Sequence, residues 1–76
     1  MQLDIITADK TLFSGEADAV TLPGSKGQFQ VLNNHAALIS SLEKGTVKIK
    51  TKEGEQKFEI TGGVAEVLKN KVVVLA

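Results

Sequence analysis

The sequence predicts an all-β domain, an antiparallel β-sandwich built from short strands. Three observations carry that prediction. Apolar and polar residues alternate with a period of two, most clearly in TVKIKTKEGEQKFEI at 46–60, and that period belongs to half-buried strands. Glycine and asparagine turn signals separate the apolar runs at short intervals. Only one stretch, HAALISSL at 35–42, offers helical spacing, and it reaches two turns at most.

The elements follow in order. QLDIIT (2–7) sets Leu3 and Ile5 against polar Asp4, which suits a half-buried strand. ADKTLFSGEADAV then passes through a polar turn into a second extended region. Gly15 there suggests a bulge or a close backbone approach, and the alternation slips phase at Ala19-Val20. LPGSKG reads as a tight turn, with Pro23 fixing φ and Gly24 or Gly27 taking positive φ. GQFQVL continues as a strand. Asn34 is placed to cap the short helical candidate, which Lys44-Gly45 ends.

In the 46–60 hairpin, Val47, Ile49 and Thr51 share one face and three lysines the other. A two-residue loop at Glu53-Gly54 would pair Lys52 with Glu55, Ile49 with Phe58, Lys48 with Glu59 and Val47 with Ile60. The exposed charges then read as a solvated face. Gly62-Gly63 permits a sharp change of direction before VAEVL and VVVLA, with Asn70 as a left-handed turn residue between them. The unbroken VVVL predicts a strand that is central in a sheet or covered on both faces.

Seventy-six residues make a single domain, 1–76, which can bury about 60% of its unfolded surface and leaves little room for a deep cleft. There is no cysteine, so neither a disulfide nor a thiolate metal site is available. Nine basic and nine acidic residues cancel, and Trp and Tyr are absent. Nucleic-acid binding, which draws on a basic surface and stacking rings, is therefore not expected. The longest apolar run, VVVLA, is too short to insert into a membrane, where a span needs about 20 residues. MQLDII lacks the basic start and long apolar core of a signal peptide.

The unusual residues gather in LPGSKGQFQVLNNHAALISSL at 22–42, which holds the only proline and the only histidine. His35 has neither a cysteine nor a second imidazole to work with, so catalysis and zinc binding are not expected of it. GSKG lacks the glycine spacing and Lys-Ser/Thr ending of a phosphate loop. Its exposed tip, Ser25-Lys26, has instead the character of a docking element on a rigid scaffold.

Taken in order, LDIIT, LFSG, V-x-L-P-G-S-x-G, F-Q-V-L-N-N-H-A, L-x-x-G and ITGGVAEVLKNKVVVLA closely resemble the N-terminal domain of the epsilon subunit of F-type ATP synthases. The resemblance runs from residue 2 to residue 76. It implies a flattened sandwich of about ten short strands, non-catalytic and without a cofactor, at the foot of the rotating central stalk. There it would bind the gamma subunit and rest on the c-ring, coupling proton-driven rotation to ATP synthesis. That places it peripherally, at the cytoplasmic face of the energy-transducing plasma membrane, and as a monomer when isolated.

By position, the resemblance assigns Gly24, Ser25, Lys26, Gly27 and Gln28 to the c-ring side. It assigns Thr7, Asn34, His35, Ala36 and Ser40 to the gamma side. Many members have Glu where this chain has Gln28, and P-G-H-A-P where it reads Asn33-Asn34-His35-Ala36-Ala37. Many continue into a helical hairpin that can inhibit ATP hydrolysis, and some also bind ATP there. This chain stops at Leu75-Ala76, so both properties are expected to be missing from it. Two other functions compete: a free-standing adaptor that binds peptides by edge-strand addition, and a small-molecule-binding sandwich.

Overall fold

The computed structural model describes all residues, Met1–Ala76, as nine strands with no helix. In chain order these are β1 (Gln2–Ile6), β2 (Thr11–Glu16), β3 (Ala19–Gly24), β4 (Gly27–Leu32), β5 (Leu38–Leu42), β6 (Gly45–Thr51), β7 (Gly54–Ile60), β8 (Gly63–Leu68) and β9 (Lys71–Leu75). Hydrogen-bonded neighbours run β2-β1-β9-β8-β5-β3-β6-β7, and β4 pairs with β3. β3 meets β5 only through Gly24 and Leu42. The order therefore divides into a five-stranded layer, β2-β1-β9-β8-β5, and a four-stranded layer, β4-β3-β6-β7.

The period-two pattern explains why the layers stack. Leu3, Ile5, Ala65, Val67, Val72 and Val74 point inward from the first layer and meet Val20, Leu22, Val31, Val47, Ile49 and Ile60 from the second. All are at most 5% exposed. At about 25 cal/mol per Å² of apolar surface removed from water, this single cluster is the main source of stability. The edge strands β2 and β7 close on each other through Phe13 and Phe58, whose rings meet edge to face with centroids 6.2 Å apart.

Several sequence expectations change. β1 and β9 pair in parallel, Gln2 beside Lys71 through Ile6 beside Leu75, while every other pair is antiparallel. β9 is central, between β1 and β8, but Val73 is only half-buried between Val72 and Val74. The β1–β2 irregularity falls at Leu12, skipped between the Phe13 and Thr11 pairings. Gly15 is in register opposite Leu3, and Ala19-Val20 pairs regularly with β4 and β6.

The β6–β7 register is shifted by two residues from the expected one. Val47 faces Phe58, Lys48 faces Lys57, and the turn is Lys52-Glu53. The shift keeps every side chain on its predicted face, so the apolar pattern does not discriminate between the two registers. The Thr51 hydroxyl decides locally: it accepts from the Glu53 N–H at 3.1 Å and donates to the Gly54 carbonyl at 3.2 Å. A side-chain turn of this kind needs Thr51 at the position just before the loop.

Residues 35–42 form no helix. Leu38–Leu42 is β5, laddered residue by residue against β8. A helix of two turns is marginal on its own, and a full ladder with a central strand outweighs it. Asn34 caps nothing. It takes φ 62°, and its N–H donates to the Asn70 side chain at 2.8 Å.

Candidate functional site

The β3–β4 turn is fixed from several sides. At Gly24 an added Cβ would lie 2.7 Å from the Gly27 carbonyl oxygen and 2.8 Å from the Phe29 ring. Only glycine lets the strands converge there. Gly27 has φ 126°, a left-handed value that suits glycine. Glu43 donates its N–H to the Pro23 carbonyl at 2.9 Å, and Ser25 donates its N–H to the Ser41 carbonyl at 3.0 Å. The Ser41 and Ser25 hydroxyls pair at 3.0 Å. The tip residues Ser25, Lys26, Gly27 and Gln28 are exposed. They border a shallow open depression of about 530 Å³, completed by Phe29, Ile39, Ser40 and Ser41.

The residues assigned to the other partner do not form one cluster. Ser40 lies on β5 beside the 24–28 turn, in the same depression. Thr7 organises the β1–β2 loop, accepting from the N–H groups of Asp9 at 3.3 Å and Lys10 at 3.1 Å. It follows Ile6, whose carbonyl accepts from the Ala76 N–H at 2.8 Å. Asn34, His35 and Ala36 sit at the opposite strand ends, tied to the β8–β9 turn through Asn70. The His35 Nδ1 lies 2.7 Å from the Ala36 carbonyl oxygen. Asn33 beside them binds the Met1 amino group at 2.6 Å, which also donates to the Ala17 carbonyl at 3.0 Å. No group of three or more His, Asp or Glu side chains converges as a metal site would need.

One surface was missed at the level of sequence. On the outer face of the five-stranded layer, Ser41, Val64, Leu75 and Ile6 form one cross-strand row, with Ile39, Glu66 and Val73 in the next. Ile39 is 73% exposed, Leu75 55%, Leu68 52% and Val64 41%. Exposed apolar side chains this close together make the face a candidate interaction surface. The available signal was VAEVL, whose apolar residues fall on both parities. The helical reading of residues 35–42 leaves Ile39 off that face.

Two of the free strand edges, β2 and β7, are poorly suited to adding a strand, while β4, paired with β3 alone, carries neither a bulge nor a charge. β2 is interrupted at Leu12, and β7 carries exposed Glu55, Lys57 and Glu59. Bulges and edge charges are devices that discourage pairing with another chain.

Comparison with known proteins gives one consistent result. The family described as ATP synthase, Delta/Epsilon chain, beta-sandwich domain matches residues 1–76. The ATP synthase epsilon chain of Bordetella petrii is 43% identical over 77 residues, covering 100% of this chain and 55% of the relative. That of Chlorobaculum tepidum is 45% identical over 74 residues, covering 96% of this chain and 84% of the relative. The chain thus spans about half the length of several curated relatives. In the solved central stalk and c-ring of the Tetrahymena thermophila mitochondrial ATP synthase, one chain superposes with a TM-score of 0.83 at 20% identity. The superposition covers 97% of this chain and 60% of that one; at that identity the likeness is one of fold.

Proposed function

The chain belongs to the family of ATP synthase delta/epsilon β-sandwich domains, and from that premise we propose that it is a non-catalytic part of the central stalk. In this reading it binds the gamma subunit and the c-ring, and carries ion-driven rotation of the ring towards the subunits that make ATP. It works peripherally, at the cytoplasmic face of the plasma membrane, through its protein partners.

The observation that carries the reading is the apolar outer face at Ile39, Val64, Leu68 and Leu75. A domain this small exposes such a face at a cost in solubility unless a partner covers it. We assign the gamma shaft to this face, with Thr7 beside it at the end of β1, Ser40 as a further contact from the inward side of β5 next to the 24–28 turn, and Asn34, His35 and Ala36 as a second contact at the far strand ends. Gly24, Ser25, Lys26, Gly27 and Gln28 take the c-ring side. Torque transfer asks for rigid contacts, and a turn pinned by Gly24, Pro23 and Ser41 supplies one.

Co-purification with the cognate gamma subunit and c-ring tests the proposal. Stable association at micromolar concentration is expected, with gamma binding lost first on polar substitution of the apolar face. No detectable association would overturn it. Binding to unrelated extended peptides in place of gamma would favour the edge-strand adaptor, against which the bulge in β2 and the charges on β7 weigh at those two edges.

A further inference from the structure

The depression beside the 24–28 turn has one-sided chemistry. Lys26 is the only charged residue lining it, and no carboxylate does. Three serines, Ser25, Ser40 and Ser41, line the same space. The Ser40 hydroxyl is used on the Ser41 carbonyl at 3.1 Å. The Ser25 and Ser41 hydroxyls are paired with each other. Such a pair consumes one of its two hydrogens whichever way it points, so one O–H remains free to donate outward. Exposed Gln28 adds an amide that can also donate. An ammonium, a hydroxyl hydrogen and an amide therefore surround an opening of about 530 Å³.

The geometry points to a carboxylate as the occupant: an Asp or Glu side chain on a polar loop of the protein partner that meets this turn. Donors of both kinds satisfy its oxygens, and Lys26 supplies the opposite charge. A basic side chain in the same place would meet Lys26 with no acceptor of opposite sign. A phosphate dianion draws on arginine or several free backbone N–H groups, whereas this depression has one lysine and the Ser25 N–H is already bonded. The identity of the partner as a ring of the rotor rests on the function proposed above; the chemistry of the contact does not.

Two arms test it. In the first, the chain labelled with ¹⁵N is titrated at low salt with a short glutamate-containing peptide, its lysine-containing counterpart, and vesicles of anionic phospholipid. The glutamate peptide alone is expected to shift the amide signals of residues 24–28 and 39–41. Shifts with the lysine peptide, with vesicles only, or with none of the three overturn the inference.

In the second arm, affinity for the purified c-ring and gamma assembly is compared among wild type, Lys26→Gln and Lys26→Glu. Exposed charge contacts predict a loss of about threefold to fivefold for Lys26→Gln and more for Lys26→Glu. The difference should fade as salt rises and the Debye length falls below about 10 Å. Tighter binding by Lys26→Glu overturns the inference. If wild type ignores the assembly while the glutamate peptide still shifts the turn, the rotor reading fails and the carboxylate site stands.

Discussion

Lys48 of β6 and Lys57 of β7 stand directly opposite each other across their hairpin, both exposed. The only ion pair in the molecule lies elsewhere, between the Met1 amino group and Glu16 at 3.6 Å. Like charges facing across strands are destabilising, and a β-branched residue suits the pleated surface better than lysine. Lys48→Thr is therefore expected to raise the unfolding free energy by about 0.3–1 kcal/mol. Urea denaturation measures it; a lower midpoint at unchanged slope would contradict the register.

Gly63 opens β8 at φ 142°, and a Cβ added there would collide with the Leu75 carbonyl oxygen. The obstacle is backbone, so it cannot swing aside. Gly63→Ala should cost at least about 2 kcal/mol through strain and displacement of β9. Thermal unfolding followed by circular dichroism measures the loss, and an unchanged melting temperature would refute the crowding.

Phe13 and Phe58 form the aromatic contact between the two edge strands. A double-mutant cycle with Phe13→Leu and Phe58→Leu should give a coupling energy of about 0.5–1.5 kcal/mol beyond the separate losses. Additive losses would mean that the edges do not support each other.

Ile39 is 73% exposed, so its replacement by lysine should change stability by less than about 0.5 kcal/mol. It is the most exposed apolar residue of the outer face, so its loss should lower affinity for the gamma subunit about tenfold or more. Calorimetric titration of gamma with folded Ile39→Lys protein separates the two effects. Undiminished binding would move the shaft to another face.

How much of this was visible in the chain depends on what the period of two can distinguish. It identified which residues of β1, β6 and β7 face inward, because burial follows parity. It could not distinguish registers two residues apart, which is why Lys48 was matched with Glu59 when it faces Lys57. It also could not see that β5 would form. The signal for a strand at Leu38–Leu42 lies in its ladder with β8, distant in sequence, while local spacing favoured a short helix. The 24–28 turn was legible because proline and glycine report backbone geometry directly. Its junction with Ser40 and Ser41 was not, because only the corner at Pro23 and Glu43 brings those serines alongside.

The parallel pairing of β1 with β9 has a consequence for how the molecule is made. β3 with β4 and β6 with β7 form local hairpins that can pair as soon as they are synthesised. Gln2 waits for Lys71 and Ile6 for Leu75. Until then Leu3 and Ile5 have their hairpin partner β2 on one side and an open edge on the other. Long-range pairings of this kind form slowly and leave strand edges unprotected in the interval. The first strand of the domain is among the last to be locked into its sheet.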